Sequence, residues 1–143
     1  MRGKLLSLLA AIALGGCQPK GGGGGAVYPP NPGDVAGTFY DSLQRGLTRQ
    51  AYQLLGPDWR AAVPYEQFAT EFSELRVADY KDLRLEDGAE RMAHVKVRVR
   101  ALPSGGAPRY YENRLTLIRD PATRRWVIAL SDSHEINEEV YYG

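Results

Sequence analysis

Between residues 34 and 75 apolar side chains return about every fourth position, and after Leu75 they return every second. The first regime predicts helices and the second predicts strands. Val35, Phe39 and Leu43 form one helical face, with Asp34 as the expected N-cap and Gly46 as the stop. Thr48 is placed to cap a second helix carrying Ala51, Tyr52 and Leu55, closed by Gly56-Pro57. A short segment around Trp59 and Val63 leads to Pro64, a favoured opening residue for a third helix with Tyr65, Phe68, Phe72 and Leu75 on one side. The first strand is expected over Val77–Leu85, ending in the turn signal Glu86-Asp87-Gly88. Val95, Val97, Val99 and Ala101 alternate with His94, Lys96, Arg98 and Arg100, a half-buried second strand. Tyr111, Asn113, Leu115 and Leu117 mark a third, and Trp126 to Leu130 a fourth, each preceded by a Pro-containing turn. Helices followed by strands on short turns predict an α+β fold, with the helices packed on one face of an antiparallel sheet of about four strands.

The first 33 residues follow neither period. Arg2 and Lys4 precede an apolar run from Leu5 to Leu14, then Gly15-Gly16-Cys17. A charged start, a short apolar core and small residues form a secretory signal. The run falls short of the ~20 residues needed to span a bilayer. Cys17 is the sole cysteine, so no internal disulfide can staple the rest of the chain. Pro19-Lys20, five glycines and a Pro-rich stretch then read as a tether to Gly33, with an r.m.s. span of roughly 20–24 Å if treated as a flexible coil. The expected organisation is therefore signal 1–16, Cys17 and tether 17–33, and a single domain 34–143, its C-terminal segment from Glu135 either an extra strand or loose.

Leu14-Gly15-Gly16-Cys17 resembles the lipobox of bacterial lipoproteins. The resemblance implies diacylglycerol on the Cys17 thiol, cleavage before Cys17 and an acylated (palmitate-type) new amino terminus. Several acyl chains hold a membrane firmly, where one short chain does not. It further implies a bacterial cell-envelope location, and Gln18 after the cysteine favours an outer membrane where the envelope has one. A second resemblance rests on "FYDSLQRGLTRQAYQLLGPDWR" (Phe39 to Arg60), "YEQFATEF" (Tyr65 to Phe72) and "LTLIRDPATRRWVIAL" (Leu115 to Leu130). These segments and their order resemble the nuclear transport factor two-like, or cystatin-like, superfamily. That resemblance implies a curved sheet and helices enclosing a cone-shaped cavity, used by some members for isomerase or dehydratase chemistry and by many others for binding alone.

Charge and chemistry narrow the function further. Of 18 Lys and Arg, two lie before Cys17 and no acid does, so the remainder balances the 17 acids to within one charge. That balance argues against a nucleic-acid partner. The two histidines have no metal-ligand spacing, and no Gly-rich phosphate loop is present, so neither a metal nor another cofactor is expected. His94 lies on the polar phase of its strand. Asp132, Ser133 and His134 are triad residue types, but adjacent residues do not readily adopt triad geometry. The row His94, Lys96, Arg98 and Arg100, extended by Arg114, is either a basic face for an anionic partner or a solvated outer face of the sheet. Trp59, Phe68, Tyr80 and Tyr111 are the expected pocket lining, because aromatics combine apolar area with polar tips; plain core packing explains them equally.

These features point to an envelope lipoprotein presenting a non-catalytic module. The expected partners are the membrane, through the N-terminal lipid, and an envelope protein, a cell-wall component or a small apolar ligand. The alternative is a small cofactor-free isomerase, dehydratase or hydrolase using the same cone. A third reading is a structural accessory with an exposed apolar patch and no cavity.

Overall fold

A computed structural model describes residues 28–143; the expected signal segment, Cys17 and the glycine run lie outside the described residues. Among the described residues five helices and four strands follow in the order α1 (Pro32–Gln44), α2 (Thr48–Tyr52), α3 (Pro57–Ala62), α4 (Tyr65–Glu74), β1 (Leu75–Gly88), β2 (Met92–Pro103), β3 (Arg109–Arg119), β4 (Trp126–Ile136) and α5 (Glu138–Tyr142). The strands form one antiparallel meander, β1-β2-β3-β4. The fold is α+β, with helices packed on a curved sheet.

Helix α1 starts three residues earlier than the periodicity predicts. Asn31, not Asp34, is the N-cap: its side chain accepts the Asp34 N–H at 2.8 Å. Pro32 then occupies the first turn, where its fixed φ suits the helix and its missing N–H costs nothing. The chain joins the domain earlier still. Tyr28 packs on the core, donates its hydroxyl proton to the Trp126 carbonyl, and lies under the Arg125 guanidinium at 4.7 Å. The domain thus begins by residue 28 rather than 34, and the Pro-rich end of the expected tether belongs to it.

Gly46 does end the first helical unit. At φ +76 it adopts the left-handed conformation, and the Leu47 N–H turns back to the Ser42 carbonyl at 2.7 Å. Thr48 does not cap α2; its hydroxyl hydrogen-bonds the Tyr65 hydroxyl at 2.8 Å, tying α2 to α4. The segment around Trp59 is helix α3, anchored by a parallel bridge in which Gly56 N–H donates to Ile128 O and Ile128 N–H to Leu54 O. That bridge covers part of the β4 edge.

Inward positions of β2 and β3 (Ala93, Val95, Val97, Val99, Leu115, Leu117) meet Val35, Phe39 and Leu43 of α1 in one core. Trp126 and Ile128 of β4 complete it. Both edge strands are bulged: β1 between Val77 and Asp79 and twice further on, and β4 opposite Thr116 and Leu117. Bulges bend a strand and raise its twist, which curves the sheet around the helices. Two further features depart from the sequence reading. Strand β4 runs to Ile136, through the Ser131–Glu135 segment that the period excludes, and the C-terminal segment from Glu135 finishes this strand and then forms the helix α5, neither an extra strand nor loose.

Helix α5 covers the opposite face of the sheet, touching β2 and β3. Asn137 caps it by accepting the Val140 N–H at 2.8 Å. Tyr141 is only 1% exposed there, its ring 5.1 Å from that of Tyr110. Arg98 donates to the Val140 carbonyl at 2.8 Å, satisfying a carbonyl in the last turn.

Candidate functional site

The helices cover the sheet completely where Val35, Leu43 and Ile128 meet. They leave a pocket of about 280 Å³ toward the end where β1 and β3 begin and β2 and β4 finish. Its apolar wall comes from three directions. Helix α1 supplies Phe39 and Tyr40, α3 supplies Trp59, and α4 supplies Phe68 and Phe72 at the four-residue spacing of one helical face. The sheet contributes Val77, Val99, Ala101 and Tyr111. Phe68 is the hub of this wall, with ring centroids 4.8 Å from Phe72, 5.3 Å from Tyr52 and 6.4 Å from Phe39.

One side of the pocket is polar. Asn113 donates its amide N–H to the Tyr40 hydroxyl at 2.9 Å, and the Ser133 hydroxyl donates to the Asn113 amide oxygen. Ser131 stands beside them, and Glu71 of α4 is the single carboxylate on the wall. Tyr40 is 2% exposed, and burial pushes its hydroxyl up to about 12, so it stays protonated throughout the neutral range.

Of the four expected lining residues, Trp59, Phe68 and Tyr111 share this pocket and Tyr80 does not. Tyr80 is directed toward the helices but packs on Tyr40 (5.7 Å between rings) and donates to the Asp41 carboxylate at 2.7 Å. Burial first, and the Asp41 bond second, push its hydroxyl up to about 12. Tyr40, Asn113, Ser131 and Ser133 were not among the expected pocket residues. Asn113 carried a signal: a polar residue at an inward position of an otherwise apolar strand asks for a partner inside.

The basic row does not stand alone. Register places Asp79 opposite Arg100, Glu112 opposite Arg98, and Asp132 across from Arg114. Arg114 pairs with Glu86 at 2.7 Å, Lys96 reaches the same carboxylate at 3.5 Å, and Arg98 lies 3.6 Å from Asp82. The hydrogen bond from Arg114 holds the Glu86 carboxyl below its usual range. His94 contacts the Asp87 carboxylate at 2.7 Å, and exposed His134 lies 3.6 Å from Glu112. This face is a lattice of alternating signs, partly roofed by α5, rather than an open patch of one charge. Neither histidine reaches the pocket, and among the described residues no three metal-donor side chains cluster.

Neither a scan of protein-family models nor a search of curated proteins finds a match to this chain. Among solved structures, it is similar to a SEC-C motif containing protein from Rhodopseudomonas palustris, known from a solution structure. The two superpose with a TM-score of 0.59 and 11% sequence identity, over 68% of this chain and 74% of the other. At that identity the likeness is one of fold, and it carries the α+β architecture alone.

Proposed function

We propose that this chain is a lipid-anchored protein of the bacterial envelope whose domain is a binding module, holding a small, mainly apolar ligand between α1, α3, α4 and the end of the sheet. The pocket is the observation that carries the reading: aromatic side chains from three helices surround a space of about 280 Å³ with a single polar side. Small-molecule sites have this composition, apolar walls with a few placed polar groups. Phe72 and Trp59 are only partly buried although they belong to the wall, which leaves their rings free to meet a ligand. The anchor rests on the lipobox-like Leu14-Gly15-Gly16-Cys17 after a short apolar run. A cone-forming superfamily of the nuclear transport factor two type fits the same order of helices and strands. A non-catalytic role fits a wall on which both histidines are missing and the lone carboxylate, Glu71, is exposed.

Two measurements test the two halves. Cys17→Ser is expected to abolish lipid labelling and release the protein from the membrane fraction; normal retention of that variant refutes the anchor. Native mass spectrometry of protein purified from its own membranes is expected to find a bound small molecule, absent from a Ser133→Trp variant that fills the polar side of the pocket. A molecule retained equally by both proteins refutes the pocket as its site.

A further inference from the structure

The hydrogen bonds on the polar side of the pocket leave one proton uncommitted. Tyr40 accepts from Asn113, and its own O–H has no acceptor among the described residues. Asn113 and Ser133 reach solvent, but Tyr40 is 2% exposed and meets free space only on the pocket wall. A buried hydroxyl donor without an acceptor is costly. Reversing the Asn113 amide does not remove the surplus. Tyr40 would then donate to the amide oxygen, Ser133 would accept from the amide nitrogen, and the spare proton would pass to Ser133 on the same wall. Either orientation presents an O–H donor to whatever fills the pocket.

The rest of the wall decides the charge of the occupant. It includes no Lys, Arg or His, and its one ionisable acid is Glu71. An anionic ligand would therefore lose its hydration against aromatic rings, with a carboxylate nearby and no cation to offset the loss. We infer that the pocket selects an uncharged, largely apolar molecule that presents one acceptor oxygen, of the carbonyl or ether class, to the hydroxyl held by Asn113. The inference rests on the binding function proposed above and specifies the ligand chemistry of the same site.

Three naphthalene probes of similar shape separate the terms: 2-acetylnaphthalene, its hydrocarbon twin 2-isopropylnaphthalene, and 2-naphthoate. Binding to the full chain in detergent is read from Trp59 emission, with Trp126 replaced by Phe so that the signal comes from the pocket. Each probe's partition into the same detergent is measured without protein, and its affinity is referred to its free concentration. The ketone is expected to bind about tenfold more tightly than the hydrocarbon, the equivalent of one well-made hydrogen bond. The carboxylate is expected to bind more weakly than the ketone. Tyr40→Phe should remove the ketone's advantage and leave the hydrocarbon within about twofold. If Tyr40→Phe does not fold, the infrared carbonyl stretch of the ketone bound to protein with Tyr40 intact decides. A shift below its aprotic-solvent value is expected, and an unshifted band overturns the inference. Equal binding of ketone and hydrocarbon, or tightest binding of the carboxylate, overturns the inference while leaving the pocket as a binding site. Failure of all three probes to perturb Trp59 overturns both.

Discussion

Tyr40 and Trp126 are buried aromatics tied into the molecule at opposite ends of the sheet, and each makes a distinct prediction. Burial raises the Tyr40 hydroxyl from 10.0 to about 12. Above pH 10 the unfolded chain releases this proton while the native state still holds it. Native stability is therefore complete below pH 10 and falls as pH rises toward 12. A melting temperature that stays level up to pH 10 and then drops is expected, with a shallower drop in Tyr40→Phe, measured by circular dichroism. Trp126 is 5% exposed, so Trp126→Ala removes core volume, while the backbone carbonyl that accepts from Tyr28 stays in place. Chemical denaturation should show a loss of ~3–5 kcal/mol. An unchanged midpoint would contradict its place in the core.

At the scale of elements, the short C-terminal helix gives the sharpest contrast between packing and hydrogen bonding. Tyr141 of α5 is almost fully buried against Tyr110, yet its hydroxyl has no partner among the described residues. Tyr141→Ala should cost ~1.5–3 kcal/mol through lost apolar burial. Tyr141→Phe should be neutral or stabilising, because it removes an unpaired buried hydroxyl and keeps the ring. Thermal melts of the two variants check both. This helix also shows where the sequence stops being readable. Five residues are too few to display a helical period, and what makes them helical is docking on the sheet under an Asn137 cap. Strand β2 was legible because Val95, Val97 and Val99 alternate over a uniform core. The second half of β4 was not, because its alternation is Ser131 and Ser133 against Asp132 and His134. There the strand leaves the core to form the pocket wall, so apolar periodicity vanishes where the site begins. The same limit explains the site residues. Aromatic content was enough to nominate Trp59, Phe68 and Tyr111, but the partnership of Tyr40, Asn113 and Ser133 joins α1, β3 and β4 and has no local signature.

At the scale of the whole molecule, the two ends of the sheet differ. The β1–β2 and β3–β4 turns close one end, and Tyr28 docks there against Trp126 and Arg125. The pocket occupies the other end; from Trp126 to Ser133 along β4 is ~23 Å. From Cys17 to Tyr28 the chain can extend at most ~40 Å. For a protein held by a lipid on Cys17, a nitroxide at Ala122 should lie nearer the bilayer than one at Ser104, and a lipid-soluble relaxation agent should broaden the first more strongly. Equal broadening would mean that the domain has no preferred orientation on its anchor. The Tyr28 contact therefore acts as a point of suspension. On the anchor proposed above, a domain hung from its closed end would turn its mouth away from the lipid. A ligand of the proposed pocket would then arrive through water or from another protein, not by sliding out of the membrane that carries the anchor.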